Sequence, residues 1–160
     1  MTIEIKHQLG LGVIHDDALN IRTTVFVGEQ GVSLADEMDN PLTEKKALHI
    51  VAYVNDQPAA TARVIEENTG VWHVQRVATL YDMRGQGLGS QLFDYIESLA
   101  PIYHIHTLDL GAQIQARKFY DQLNFHTYGS EFFEAVKDGR KKFEIRKNDR
   151  NYQEGDILIL

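Results

Sequence analysis

Arg84-Gly85-Gln86-Gly87-Leu88-Gly89 lies between a strand-like run, Val71–Thr79, and a helix-like run, Leu88–Ala100. Glycines at alternate positions let the backbone turn sharply and bring its N–H groups close to a ligand, with no Cβ in the way. A helix starting there adds unpaired N–H donors and the positive end of its dipole. Strand, glycine turn and helix together make a seat for a phosphate or pyrophosphate. No Lys-Ser/Thr follows Gly89, which excludes a Walker A loop. The Gly-x-Gly-x-Gly spacing, five residues beyond the strand, does not fit a dinucleotide fingerprint. What remains is Arg/Gln-x-x-Gly-x-Gly/Ala, with an ordinary glycine-rich turn as the alternative.

Composition narrows the class. A chain of 160 residues with 43% hydrophobic content suits one domain with a sizeable core. It holds no cysteine, so disulfides, zinc–thiolate sites and a Cys nucleophile are excluded. The N-terminal run Met1–Lys6 lacks a signal pattern, and no apolar stretch is long enough for a membrane span, so a soluble cytoplasmic protein is expected. The net charge of −7 argues against general nucleic-acid binding. Charge is uneven, however. Seven of the sixteen basic residues fall between Lys137 and Arg150, leaving nine basic and twenty acidic residues elsewhere. The acidic remainder suits a cationic amine, and equally a plain solvated surface.

Along the chain, residues 2–6 read as a strand. Asp16 and Asp17 suit the cap of a helix over Ala18–Glu29. Gly31–Lys46 is polar and irregular, with a break at Pro41. Leu48–Val54, Ala59–Glu66 and Val71–Thr79 read as an antiparallel meander, joined by turn signals at Asn55–Pro58 and Asn68–Gly70. The helix after the loop carries an apolar stripe through Leu88, Leu92, Tyr95/Ile96 and Leu99, and Pro101 stops it. A strand over His104–Leu110, a helix over Ala112–Asn124 and strands over Phe125–Val136 and Lys142–Lys147 follow. The expected class is α+β, one central mixed β-sheet flanked by helices, with an atypical C-terminal strand segment.

The loop, strand Trp72–Thr79, strand Thr107–Leu110 and the segment Ala112–Tyr120 resemble the core of the GNAT N-acetyltransferases. The opening Ile21–Gly31, followed by Asp36-Glu37-Met38-Asp39 and His49, is similar to the ElaA/YjcF-like branch of that family. The resemblance covers about residues 1–130 and implies acetyl-CoA as acyl donor and a small-molecule amine as acceptor. It places the pantetheine arm on backbone groups of Val77, Ala78 and Thr79, where two parallel strands splay, as an added strand would bind. It places the pyrophosphate on Arg84, Gly85, Gln86, Gly87, Leu88, Gly89 and Ser90. Tyr120 matches the family's Phe-Tyr position and would protonate the departing thiolate; without the resemblance it reads as a core tyrosine. Glu37, Asp39 and His49 are the candidate bases, with an ordered water as the alternative relay. Arg22 reads either as an anchor for an acidic substrate group or as a packed aliphatic stem. His104 and His106 have no third ligand nearby, so no metal is expected. Asn124 stands where the family often has Gly, and Asn tolerates a left-handed helix end.

The tail is different. Phe132–Arg150, Tyr152 and Gly155–Leu160 resemble the opening of a small ASCH/PUA-like domain, too short to close such a barrel alone. The expectation is a transferase domain over residues 1–147 and an extension over 148–160. In it Lys142–Lys147, with Phe143 and Ile145 alternating against Glu144 and Arg146, replaces the last strand of the sheet. The apolar end Ile157–Leu160 could pair with an edge or a second copy in a homodimer. Two other functions stay open. One is transfer from another acyl donor, since Arg22–Gln30 has some similarity to acyl-homoserine-lactone synthases. The other is a non-enzymatic CoA- or RNA-binding module using the basic tail.

Overall fold

The computed structural model describes residues 1–37, 41–112, 117–127 and 143–148. The chain divides into two compact units, Met1–Ile65 with Gln75–Leu99, and Glu66–Val74 with Ala100–Leu160.

In the first unit, β1 (Ile3–Leu9) pairs antiparallel with β2 (Leu48–Val54) over its full length, from Ile3↔Val54 to Leu9↔Leu48. β2 pairs antiparallel with β3 (Gln57–Asn68). The two-residue turn between them holds Asn55 at φ 49° and Asp56 at φ 67°, the left-handed pair that a tight hairpin requires. Next to the turn, Tyr53 faces Pro58 and the register shifts between Ala52 and Tyr53. Proline has no N–H for the ladder, so an irregularity beside it is expected. The last residues of β4 (Val71–Thr79) complete this unit's strands.

Helix α1 covers Val13–Arg22 and passes directly into a π-helical turn, Thr23–Glu29. The helix therefore starts well before Ala18, and Asp16 and Asp17 lie inside it. Its N-cap is Gly12, which offers no side chain; the Ile14 N–H donates instead to Oε1 of Gln8, at 3.3 Å. Ala18, Ile21 and Val25 pack on Val51, Tyr53 and Ala78. Gly31–Lys46 is not irregular throughout: α2 covers Leu34–Glu37 and α3 covers Pro41–Lys46. Pro41 opens α3, where its missing N–H costs nothing. α4 (Leu88–Leu99) buries Leu88, Leu92, Phe93, Ile96 and Leu99 and also packs on β2, whose every residue is buried.

In the second unit, the start of β4 runs parallel to β5 (Thr107–Ala112), with Val71↔Thr107, Trp72↔Leu108 and His73↔Asp109 in register. β5 starts three residues later than the sequence suggests, because His104 takes φ 61° and His106 N–H turns to the carbonyl of Gly70 at 2.9 Å. β6 is His126–Thr127 and β7 is Phe143–Asn148, each antiparallel to its neighbour. The order is β4-β5-β7-β6. α5 covers Arg117–Gln122. Asn124 takes φ 66° beyond it, the left-handed helix end its residue type allows. The remainder of the expected strand Phe125–Val136 and the apolar end Ile157–Leu160 lie outside the described residues, as do the side chains of Phe143 and Ile145.

Candidate functional site

β4 ends at Thr79, and the chain crosses Leu80 and one 3₁₀ turn, Tyr81–Met83, before the glycines. Gly85 has φ 76° and Gly87 φ 80°, a region L-residues avoid. A Cβ at either position would meet no atom within 4 Å, so open space lies beside the backbone. The first N–H of α4 to find a helical carbonyl is that of Gln91, on Gly87 O at 3.1 Å. Leu88, Gly89 and Ser90 precede it at the positive end of a 12-residue helix. Leu88 is 2% exposed and fixes the start of the helix in the core. Backbone and dipole thus converge on a space that can take an anion. The Arg84 side chain is exposed but held: it grips Glu29 through two hydrogen bonds of 2.9 and 2.8 Å and Thr79 O through a third of 3.0 Å.

Just upstream, Arg76 interrupts β4 with φ 52°. A bulky residue in that conformation is strained and often marks a functional position. Its Nε lies 3.2 Å from Oε2 of Glu37. From Glu37 a network of charges runs through the first unit. Arg22, fully buried, donates through Nε to Glu37 Oε1 at 2.5 Å and through NH2 to Glu44 Oε1 at 2.8 Å. Arg63 NH1 donates to the same Glu44 oxygen, at 2.8 Å, and Arg63 Nε and NH2 donate to Oε1 of Gln75. His49, completely buried, donates through Nε2 to the carbonyl of Glu44 at 2.9 Å. His15 Nε2 lies 3.3 Å from Glu44 Oε2.

These contacts change how the sequence candidates read. Arg22 is neither a packed stem alone nor free for a substrate acid; its guanidinium is taken up by two carboxylates. Glu37 is not a solvated loop acid: it is 2% exposed, and each oxygen faces a guanidinium. Accepting a proton at Glu37 would break an ion pair. Asp39 lies outside the described residues.

Burial alone would push the Glu44 carboxyl up, but the hydrogen bond from Arg22 and the charges of Arg22, Arg63 and His49 outweigh it and hold it at about 2. For His49, desolvation wins over its contacts with Glu44 and lowers the imidazole below its usual value. His15, Glu44 and His49 also bring three donor atoms within 4.8 Å of one another, a possible metal ligand set. Glu44 Oε1 already accepts from two arginines, however, and a divalent ion there would sit beside two guanidinium charges. The donor set fits guanidinium better than metal.

In the second unit, Tyr120 on α5 is 7% exposed and packs edge-on against Phe119 and Phe125. Burial raises its phenol to about 12, so it keeps its proton at neutral pH. His73 Nδ1 and Asp109 Oδ1 are 2.6 Å apart across the parallel register. His106 Nδ1 meets the Thr107 hydroxyl at 2.7 Å. His104 and His106 precede β5 rather than sharing a face of it.

Glu44, Arg63, Arg76, His15 and the His73–Asp109 pair escaped the sequence reading. Arg63 did leave a signal, as a lone charge in the mostly apolar strand run Ala59–Ile65, and Arg76 a weaker one in the half-buried run Val71–Ala78. Such a charge must find a partner inside. Glu44 left none, since Thr43-Glu44-Lys45-Lys46 looks like any solvated turn.

Residues 17–138 match the family model of the acetyltransferase (GNAT) domain, and residues 128–160 match a domain of unknown function, DUF3850. A Bacillus subtilis (strain 168) protein named as a candidate acetyltransferase is 38% identical over 117 residues, 72% of this chain and 78% of that protein. The crystal structure of a candidate N-acetyltransferase from Lactobacillus plantarum shares the fold with a TM-score of 0.81 at 23% identity, over 92% of this chain and 99% of that one. Escherichia coli ElaA does so with a TM-score of 0.71 at 21% identity, over 92% and 100%. With the domain match spanning most of its length, the chain belongs to the GNAT acetyltransferase family.

Proposed function

We propose that the protein transfers an acetyl group from acetyl-CoA to the amine of a small molecule by direct attack on the thioester. The observation that carries this reading is the open, left-handed glycine loop feeding the N-terminus of α4. On this reading the loop N–H groups hold the pyrophosphate, and Val77, Ala78 and Thr79 pair with the amides of the pantetheine arm. The break at Arg76 supports that role, because a left-handed residue redirects the backbone groups that follow it.

The amine first loses a proton. Glu37 and His49 are both engaged inside the buried network, which favours an ordered water as the relay. The neutral nitrogen then attacks the carbonyl carbon; the C–N bond forms, the C–S bond breaks, and the nitrogen sheds a second proton, which returns to the Tyr120 oxygen once that group has given its own to the thiolate. Tyr120 O–H donates the proton that the coenzyme A thiolate takes up. The Phe-Tyr position carries that assignment, and a correctly placed acid is worth roughly 10² to 10⁴ in rate.

The test is thiol release from acetyl-CoA against a panel of amines, polyamines, amino sugars and peptides, repeated with longer acyl-CoA donors. Amine-dependent release that is fastest with the acetyl donor supports the proposal. Faster release with a longer donor replaces acetyl with that acyl group. Release that no amine accelerates overturns it.

A further inference from the structure

Three features around the glycine loop bear on how it keeps its shape. The first is its lack of packing. Tyr81 is 72% exposed, Gly85 and Gly87 face open space, and a half-open cleft of about 440 Å³ beside the segment has Thr24, Glu29, Leu80, Tyr81, Asp82 and Met83 among its lining residues. The second is the Arg84 fork. It meets both carboxylate oxygens of Glu29 while its Nε closes on Thr79 O and its guanidinium sits 5.4 Å from the Tyr81 ring centre. This bidentate geometry is the strong, directional form of an ion pair. The third is where Glu29 comes from. It ends the π-helical turn Thr23–Glu29, closed by Gln30 N–H on Val25 O at 3.1 Å. An i→i+5 turn rotates whatever follows it relative to an α-helix, and such turns are rare and concentrate at functional sites.

We propose that the Glu29–Arg84 pair is a latch tying the end of the π-helical turn to the cofactor loop, which makes Glu29 a positioning residue for coenzyme A. The inference rests on the coenzyme A reading above. Preorganisation is its physical basis: a loop held in its bound shape loses less entropy when the ligand arrives. Charge alone points the other way, because a carboxylate near an anion seat repels the anion. Removing it should tighten binding unless the latch matters more.

The experiment uses the full chain and coenzyme A as the probe. In Glu29→Gln the dissociation constant should rise about fivefold, the upper end for an exposed pair. Arg84→Gln, which also removes a cation beside the anion seat, should weaken binding at least as much, and the double variant should be no weaker than Arg84→Gln alone. Hydrogen exchange without ligand gives an independent readout. Glu29→Gln should speed exchange at Gly85–Gly89, and Arg84→Gln should speed it at Thr23–Glu29. Unchanged or tighter binding in Glu29→Gln overturns the latch, as do additive single effects or unchanged exchange. If the unaltered chain fails to bind coenzyme A, the proposed function falls and Glu29's positioning role with it, and the exchange data then speak only to the tie between the two segments.

Discussion

At Glu44 one carboxylate meets Arg22, Arg63 and His15 with its oxygens, while its carbonyl holds His49. Removing one partner from a buried charge network leaves the others uncompensated, typically a loss of 3–5 kcal/mol. Glu44→Ala should therefore destabilise the fold by about 3 kcal/mol in urea unfolding. The same network sets an acid response. Glu44 sits at about 2 against an ordinary 4.5, so its stabilisation is full above 4.5 and is lost as pH falls from there towards 2. His49 lies below its ordinary 6.5, so the unfolded chain takes up that proton first and stability starts to fall below pH 6.5. Stability measured against pH should show both legs, and Glu44→Gln should abolish the lower one. For Tyr120, replacement by Phe should cut kcat about 10² with little change in KM for acetyl-CoA; an equal kcat would remove the phenol from the mechanism. Tyr120 is singled out by the family resemblance, and Arg22 by its place on a helix face, but the carboxylates that hold Arg22, and the burial of Glu37 and Glu44, depend on residues far along the chain and could not be read locally.

The elements whose signals are local came out of the sequence well. β2 and β4 match their expected bounds residue for residue, because an apolar run closed by turn residues carries its own limits. α4 starts at Leu88, where the apolar stripe starts. α1 was misplaced because its N-terminal N–H is capped from β1 by Gln8, a contact that no cap rule finds, and Asp16 and Asp17 offered a decoy. β5 was placed early because the left-handed turn at His104 has no glycine to announce it. Gly87→Ala would place a Cβ in open space yet hold φ at 80°, a strain of about 1–2 kcal/mol. If the loop seats the pyrophosphate, the substitution should weaken coenzyme A binding about tenfold by calorimetry, ~1.4 kcal/mol. Binding as tight as in the unaltered chain would move the anion seat elsewhere.

Over the whole molecule, the acetyltransferase match ends at residue 138 while the DUF3850 match begins at 128, so the two overlap and both include the run before β7. β7 nevertheless pairs with β5 along six residues, Thr107↔Asn148 to Ala112↔Phe143. A segment resembling another family thus contributes a strand here, and alternation at Phe143–Ile145 was the sequence's hint of it. We propose the boundary at about residue 147. A chain ending at Asn148 should keep the melting temperature of the full chain, whereas one ending at Thr127 loses β7 and should not fold cooperatively. Among the described residues no helix is long and apolar enough to cross a membrane.

Calorimetric titration of the full chain with acetyl-CoA tests the central claim most directly. Saturable binding at one site per chain is expected, with a dissociation constant in the micromolar range and a melting temperature that rises with ligand concentration. No heat of binding and no thermal shift at millimolar acetyl-CoA would contradict it.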